Sequence, residues 1–470
     1  MICNKLENKL SDLHVDLIKA SIKYKGLNML FLSQVLIGDD FLGSLESWHY
    51  INILKKIGLE NVVKFLAFNV SNLFLKRRHD RRFNYLFINE VNNIPSIDAL
   101  NLVYREFNGE NVGMVISDVR LGKLDERTIN IFEFATLGVL WKSLIGSVGL
   151  IPVLYRLRGE LNCISRKYNI RPLFLILNIF DSVFAINTVD VFFANVSAGK
   201  IVLMTDVHKI SRICTLRAGE LEIPTYVIQH GATVGEEGYI PVIADKMLVW
   251  GQSSKNWFVE RGQSPYKLEI VGSPRMDSVI YGGVQSSHPN GDGWRKVLIV
   301  MSMVSFERAF LVTVKEALMK CGISGVEVII KLHPGGAVDY SFMPREVFDA
   351  SGLSYRILRF ENTKALLKET DIVIVTNSTV GMEAIIENKP IFQFKSSQYF
   401  NHRMSYEDFD CSHLFETGDQ LRDLISNPIT AYSKVPNYGA FVDFYFGKLD
   451  GNSSKRAKDF IVSHSLKQDC

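Results

Sequence analysis

From residue 84 onward the chain alternates short apolar runs with helix-like segments, and this alternation constrains the fold more than any other feature. The runs Asn84–Val91, Asn111–Arg120 and Lys200–Val207 are rich in branched and aromatic residues, and helix-like segments separate them. Strands that are apolar on both faces and joined through helices form parallel sheets covered by helices on both sides. We therefore predict an α/β protein built on doubly wound sheets.

The alternation stops once and then restarts. Ser286–Gly293 (SSHPNGDG) is the strongest loop signal in the chain, and a second series of apolar runs begins with Arg295–Ser302. A chain of 470 residues is long enough for two or three domains. We predict a helical N-terminal region at 1–82, Rossmann-like domains at 83–288 and 289–450, and a C-terminal helix at 451–470 that returns to the first domain.

Two segments before residue 160 raise the question of a membrane. The first 82 residues favour helices, for example Ser44–Ile57 and Leu59–Leu75, and end in the basic run Lys76–Arg82. Thr136–Tyr155 is apolar apart from Lys142 and a few hydroxyl residues, and it is almost long enough to span a bilayer. A buried or half-buried helix is one interpretation, and an element that dips into a membrane surface is another. The second predicts a protein peripheral to the inner face of the cytoplasmic membrane.

Charge and cysteine content exclude several classes of protein. Lys and Arg number 53 and Asp and Glu number 50, so the net charge of +3 gives no reason to expect a nucleic-acid partner. The six cysteines form no CxxC pair and no His/Asp cluster has metal spacing, which argues against a metal site and favours a reducing, cytoplasmic compartment. Neither GxGxxG nor GxxxxGK[ST] occurs, so a nicotinamide enzyme or a P-loop NTPase is not expected.

Polar motifs follow two strands of the second series. IIKLHPGG places a histidine and two glycines after one strand, and TNSTVGME places hydroxyl side chains where another strand meets a helix. Ligands of doubly wound sheets bind beyond the carboxyl ends of strands, and a helix N-terminus favours phosphate there. Gly381 would permit close approach, and a carboxylate one turn into the helix can take ribose hydroxyls. A turn histidine and a plain helix cap are the non-functional alternatives. The predicted donor residues are His333, Pro334, Gly335, Asn377, Ser378, Thr379 and Glu383.

The first series carries candidates for acid–base chemistry. His230 follows the strand in VIQHG, and a neutral imidazole on a loop can accept a proton from a hydroxyl. Glu236 and Glu237 lie on the same loop and are rival bases. Arg275, after a strand and a Pro turn, can contact a phosphate of the donor. Asp206 and His208 end another strand and are candidates for the acceptor side.

The order of these motifs resembles GT-B glycosyltransferases of bacterial surface-polysaccharide synthesis. The residues that carry the resemblance, at about 200–395, are QHG, ADKMLVWG, GSPRMD, KLHP, the Ser378–Glu383 segment and a Lys-Pro pair at 389–390. The outline is similar to CDP-glycerol glycerophosphotransferases and to HP-motif transferases that use CMP-Kdo or CMP-sialic acid. EEG at 236–238 fits the acidic motif of the latter group, which favours Glu237 as the base.

The resemblance implies an inverting, metal-independent transfer that needs no cofactor. The donor would be a nucleotide-activated sugar, with CMP-linked sugars among the candidates. The acceptor would be a surface glycan of capsule, lipopolysaccharide or a related polysaccharide, and it can be lipid-linked. Three alternatives stay open: a UDP-N-acetylglucosamine 2-epimerase-like enzyme, a CDP-glycerol-type glycerophosphotransferase, and a non-catalytic subunit of glycan assembly.

Overall fold

The fold is given by a computed structural model of the chain. The predicted helices at Ser44–Ile57 and Leu59–Leu75, most of the basic run and the predicted boundary near residue 288 lie outside the residues that it describes. The described residues are 16, 22–28, 81–90, 94–117, 127–168, 170–233, 236, 238–278, 294–301, 307–321, 325–332, 341–359, 361–376, 378–395, 406–426 and 436–465.

The chain divides into two compact units, and each contains one parallel sheet. The first unit comprises residues 6–279 together with 446–470, and the second comprises residues 280–445. The sheets have seven and six strands. The predicted fold class, α/β with two doubly wound domains, is confirmed.

A small hairpin lies within the N-terminal region that was predicted to be helical. Strands β1 (Lys23–Tyr24) and β2 (Leu27–Asn28) pair antiparallel. They are joined by Lys25 and Gly26, whose φ angles are 46° and 81°. A glycine adopts such an angle without strain, which permits the tight turn.

The seven-stranded sheet of the first unit has the order β5-β4-β3-β6-β7-β8-β9. Its first large strand, β3, pairs in parallel with β4 and β6. That strand begins at Arg81 rather than at Asn84, because Arg81 already pairs with Val196 of β6. The strands are β3 (Arg81–Asn89), β4 (Val112–Ile116), β5 (Thr128–Asn130), β6 (Val196–Leu203), β7 (Thr225–Ile228), β8 (Lys246–Val249) and β9 (Leu268–Ile270).

Within the described residues, seven helices of the first unit precede the second unit along the chain. Four of them fill the long connection between β5 and β6, so the first unit carries a helical insert. The helices are α1 (Ile94–Glu106), α2 (Leu137–Gly149), α3 (Ile151–Arg156), α4 (Arg158–Tyr168), α5 (Pro172–Asn195), α6 (Lys209–Glu220) and α7 (Gln252–Glu260).

Helix α5 is a core helix, although its length and apolar composition would suit a membrane span. Of its most apolar window, 72% is buried inside the protein. Asn178 and Asp181 lie on it, both fully buried, and both accept hydrogen bonds from Nζ of Lys209, at 2.9 and 2.8 Å. A buried charge needs such partners, and they tie α5 to the start of α6.

The second unit repeats the same winding with six strands in the order β12-β11-β10-β13-β14-β15. All neighbouring strands are parallel. The strands are β10 (Lys296–Val300), β11 (Glu327–Lys331), β12 (Ser354–Leu358), β13 (Ile372–Val375), β14 (Ile391–Phe394) and β15 (His413–Phe415). The helices are α8 (Glu307–Lys320), α9 (Phe342–Phe348), α10 (Thr363–Glu369), α11 (Thr379–Ile386), α12 (Gly418–Ser426) and α13 (Tyr438–Phe446).

The last helix, α14 (Ser453–Ser463), belongs to the first unit and is held at both ends by side chains of that unit. Both carboxylate oxygens of Asp277 accept from the N-terminal amides of Ser453 and Ser454, at 2.8 and 2.7 Å. At the other end Nζ of Lys200 donates to the carbonyls of Val462 and His464, at 2.9 and 2.8 Å. These bonds fasten the helix to the first unit.

Candidate functional site

Both sheets place a reversal of strand order next to their first strand, and this marks the expected ligand crevice of each unit. In the second unit β11 and β12 lie on one side of β10, and β13 to β15 lie on the other. In the first unit the same reversal falls between β3 and β6. Ligands of doubly wound sheets bind at the carboxyl ends of the strands at this point. We therefore compare the residues that follow β13 with those that follow β6 as candidates for contact with a ligand.

In the second unit the crevice is bordered by the N-terminus of α11. Ser378 is the N-cap of this helix, and its Oγ accepts from the amide of Val380 at 3.3 Å. Ser378 and Thr379 are half-buried, as is Glu383 one turn further along. The cap is a neutral hydroxyl, so the positive end of the helix dipole is not compensated by a carboxylate of the cap residue. This is the geometry expected of an anion-binding strand-to-helix junction.

Tyr406, which sequence reasoning missed, supports this junction from below. Its ring is fully buried and its hydroxyl donates to the carbonyl of Ser378 at 2.7 Å. A Cβ on Gly381 would lie only 2.6 Å from Cε2 of Tyr406. We expected the glycine to permit the approach of a ligand, but what it admits in the structure is the tyrosine ring.

A buried lysine connects the end of β11 to the same junction. Lys331 is 4% exposed, and burial lowers its pKa, while the nearby carboxylates of Glu361 and Glu383 oppose that shift. The last residue of the strand before the His-Pro turn thus lies close enough to Glu383 to feel its charge. The two motifs of the second unit converge on one edge of the sheet.

Several predicted site residues lie outside the described part of the chain. They are Glu237 of the first unit and His333, Pro334, Gly335 and Asn377 of the second. Their assignments stay predictions.

In the first unit the equivalent crevice is occupied by the protein itself. The carboxylate of Glu90, directly after β3, accepts from the amides of Ile210 and Ser211 at 3.1 and 2.7 Å. These amides open helix α6, so a buried carboxylate already neutralises its dipole. The helix that would bind phosphate in a dinucleotide enzyme is here capped by an acid from the neighbouring strand.

Asp206 is also part of this internal packing, which corrects its prediction as an acceptor-side residue. It is 2% exposed, and Oδ2 accepts from the amides of Ile243 and Ala244 at 2.6 and 2.9 Å. Burial raises its pKa, and the fully buried guanidinium of Arg212 opposes that shift. The carboxylate therefore holds the segment before β8 in place. His208 stays at the crevice as the half-buried N-cap residue of α6.

His230 lies at the end of β7 in an environment that keeps its imidazole neutral. Its ring stacks on Tyr239, with centroids 4.8 Å apart and planes at 14°. Burial first, and then the positive charges of His208 and Arg275, lower its pKa to about 4. The ring hydrogen-bonds to the backbone of Met204, whereas Nδ1 is buried without a hydrogen-bond partner among the described residues. A neutral imidazole with one nitrogen engaged leaves the lone pair of Nδ1 as an acceptor.

The QHG and LVWG motifs are two parts of one hydrogen-bonded turn. The amide of Trp250 donates to Oε1 of Gln229 at 2.8 Å, and its indole Nε1 donates to the carbonyl of Gln229 at 2.9 Å. Nε2 of Gln229 in turn donates to the carbonyl of Gly231 at 2.7 Å. These bonds fix the backbone on both sides of His230. They explain why glutamine and tryptophan stand in the two motifs.

Glu236, predicted as a candidate base, is engaged in a salt bridge. Its carboxylate lies 2.9 Å from Nε of Arg261, whose guanidinium carbon lies over the ring of Trp257, 4.1 Å from the centroid. The carbonyl of Glu236 also accepts from the amides of Tyr239 and Ile240, at 2.9 and 2.8 Å. The geometry favours a role for Glu236 in shaping the loop over a role as proton acceptor.

Arg275, predicted as a donor residue, lies in the first unit close to His230. It occupies a short 3-10 turn at Pro274–Met276, and its charge lowers the pKa of both His230 and Tyr239. Two residues later, Asp277 caps α14. The C-terminal helix therefore supports the turn that carries Arg275. Among the described residues no group of three or more His, Cys, Asp or Glu side chains is arranged to hold a metal ion.

Two sequence comparisons give matches to surface-polysaccharide enzymes. A family model described as "Capsule polysaccharide biosynthesis protein" matches residues 305–407, a range that includes Ser378, Glu383 and Tyr406. The teichoic acid poly(ribitol-phosphate) polymerase of Bacillus spizizenii is 29% identical over 139 residues, which are 28% of this chain and 21% of the polymerase. The chain thus spans about a fifth of that relative. The resemblance to surface-polysaccharide enzymes is confirmed.

Solved structures with similar architecture come from several enzymes. UDP-GlcNAc 2-epimerase from Neisseria meningitidis, bound to UDP-GlcNAc, has 13% identity and a TM-score of 0.48, covering 82% of this chain and 100% of its own. MnaA from S. aureus, with UDP, has 11% identity and a TM-score of 0.47 over 81% and 96% of the two chains. MurG from Acinetobacter baumannii has 10% identity and a TM-score of 0.43 over 81% and 100%.

Proposed function

We propose that this chain is a glycosyltransferase of bacterial surface-polysaccharide synthesis, with the nucleotide-activated donor bound by the second unit. The observation that carries the proposal is the contrast between the two crevices. The first is capped by the carboxylate of Glu90, whereas the second is capped by the hydroxyl of Ser378. A donor phosphate is repelled by the former and attracted by the latter.

The donor phosphates would lie at the N-terminus of α11, with Glu383 one turn away for the ribose hydroxyls. Lys331 lies close enough to Glu383 for their charges to interact. As the bond to the leaving phosphate breaks, negative charge grows on the phosphate oxygens, and the helix dipole stabilises it without reorganisation. Transfer by a single displacement at the anomeric carbon inverts that carbon and requires no resident metal.

The acceptor hydroxyl would be activated in the first unit. Nδ1 of His230 is an unprotonated acceptor at neutral pH, because the pKa of the ring is about 4. It can take the hydroxyl proton as the oxygen attacks the donor. Glu237 stays the rival base, since EEG fits the acidic motif of HP-type transferases. CMP-linked sugars stay candidate donors on the same resemblance.

The matched polymerase favours one further candidate, transfer of a polyol phosphate from a CDP-activated donor. Its printed name refers to poly(ribitol-phosphate), and its match supports this alternative for the present chain. In that reaction the acceptor hydroxyl attacks phosphorus and CMP leaves. The helix N-terminus and His230 would keep the roles given above.

Incubation of the full chain with radiolabelled donors and bacterial membranes tests these proposals. A labelled glycan from a nucleotide sugar supports the glycosyltransferase, and a labelled phosphodiester polymer from a CDP-polyol supports the phosphotransferase. Isomerised free donor would indicate an epimerase. Absence of any product, with nucleotide binding retained, would indicate an assembly subunit and would refute the transferase.

A further inference from the structure

Helices α2 and α3 expose an unusually apolar surface. Only 17% of their apolar window, Leu137–Arg156, is buried, although it is hydrophobic enough to cross a bilayer. Trp141 is 66% exposed, Val148 62% and Tyr155 67%. Contiguous exposure of this kind marks an interaction surface. We call it the apolar face, and it comprises Leu137, Trp141, Leu144, Ile145, Val148, Ile151 and Tyr155.

The opposite side of α2 is fastened to the protein. Ser143 is fully buried, and its Oγ accepts from Nδ2 of Asn187 on α5 at 2.9 Å. Tyr24 donates to Oδ1 of Asn187 at 3.3 Å and packs where a Cβ on Gly146 would lie 2.8 Å from its hydroxyl. A helix that spanned a bilayer would have to break these contacts. The helix is therefore placed to lie on a membrane rather than to cross it.

The helices that carry the apolar face, and the segment that follows them, are rich in basic residues. Between residues 137 and 176 the chain has six basic residues and a single acid, Glu160. Lys142, Arg156 and Arg158 are exposed, and the guanidinium of Arg158 stacks 4.0 Å from the ring centroid of Tyr155. Long basic side chains beside an interfacial aromatic ring can extend toward anionic headgroups while their stems cover apolar surface. This charge pattern identifies an anionic lipid surface as the fitting partner.

We propose that the apolar face is a membrane-docking surface that seats α2 and α3 in the headgroup region of an anionic bilayer. Apolar side chains enter the acyl boundary, and the basic residues contact the lipid phosphates. The helical insert between β5 and β6 thus serves membrane attachment. The proposal does not depend on the reaction, because docking is measured without any donor or acceptor.

Flotation of the full chain with vesicles tests this surface. One set contains phosphatidylcholine alone, and the other contains phosphatidylcholine and phosphatidylglycerol at three to one. We expect the wild type to float with the anionic vesicles at low salt and to be released by high salt. Val148→Asp should lower partitioning by about tenfold or more, since it removes one apolar anchor and adds a repelled charge. Val259→Asp is the matched control, because Val259 is 41% exposed on α7.

Thermal unfolding shows whether each variant is folded. If Val148→Asp does not fold, Trp141→Ser is used in its place. The proposal is overturned if the wild type does not float with anionic vesicles, or if a folded apolar-face variant floats as well as the control. Retention on vesicles in high salt would indicate a spanning helix instead. A lipid-free dimer that Val148→Asp dissociates would assign the face to a second copy of the chain.

Discussion

Replacing Ser378 by aspartate would place a carboxylate at the N-terminus of α11, as Glu90 does at the N-terminus of α6 in the first unit. Aspartate is as good an N-cap as serine, so α11 should keep its stability. The new charge would stand at the amide that now bonds Oγ of Ser378, that of Val380. Ser378→Asn caps equally well without charge, so the pair isolates the electrostatic effect.

The size of the effect follows from the distance between the new carboxylate and a bound phosphate. Two anions that share the first turn of one helix lie about 5 Å apart. At an effective dielectric constant between that of water and about 20, their repulsion is about 1–3 kcal/mol. We therefore expect nucleotide affinity to fall by roughly 5- to 150-fold relative to Ser378→Asn.

Calorimetric titration with CMP, CDP, UDP and GDP measures this difference. The first step is to find which nucleotide the wild type binds, and the second is to titrate the variants with it. Asn362→Asp is the charge control, since Asn362 caps α10 in the same unit by accepting from Lys364 and Ala365. Equal affinity in Ser378→Asp and Ser378→Asn would refute the placement of the donor phosphate at α11.

Three further predictions concern stability and use urea unfolding. Gly381→Ala should destabilise the chain by about 1–3 kcal/mol, because its Cβ meets the buried ring of Tyr406, whereas Gly439→Ala, with open space around it, should not. Asp277→Ala should cost about 1–2 kcal/mol through the loss of the α14 cap, and an unchanged midpoint would contradict that role. The folded pKa of His230, about 4, lies below its unfolded value. The stability that the neutral imidazole contributes is therefore complete above pH 6.5 and is lost as pH falls toward 4. His230→Asn should therefore flatten the loss of stability across that window, by at most about 3 kcal/mol.

The strand-to-helix junction at Ser378 was accessible from sequence because it depends on neighbours along the chain. A buried strand that leads into a helix places the residues between them at the carboxyl edge of the sheet, and Ser378 lies there. The cap was predictable, since serine at that point bonds the amide two residues on. The hairpin turn at Lys25 and Gly26 was not predicted, because a two-residue turn leaves little pattern in the sequence.

The other structural features that the sequence did not predict all depend on contacts between residues far apart in the chain. Tyr406 reaches Ser378 across 28 residues, and Glu90 reaches Ser211 across 121. Periodicity describes which side of an element is apolar, but it does not say which distant side chain will fill a glycine's space or cap a helix. A pH profile should not separate the imidazole of His230 from a carboxylate base. Burial and two cations bring the pKa of the imidazole to about 4, into the range of a carboxylate.

The two sheets share one strand order, yet they differ in the charge at their central crevices, and this difference limits where chemistry can occur in the first unit. The carboxylates of Glu90 and Asp206 already accept hydrogen bonds from backbone amides of other segments. The residues at the next strand end, after β7, are held differently: Gln229 fixes the backbone, whereas Nδ1 of His230 is buried without a partner among the described residues. An unpartnered buried acceptor is costly unless another group pairs with it in the working state. A hydroxyl of the acceptor would supply that hydrogen bond, which is why His230 rather than Asp206 is the group to test first.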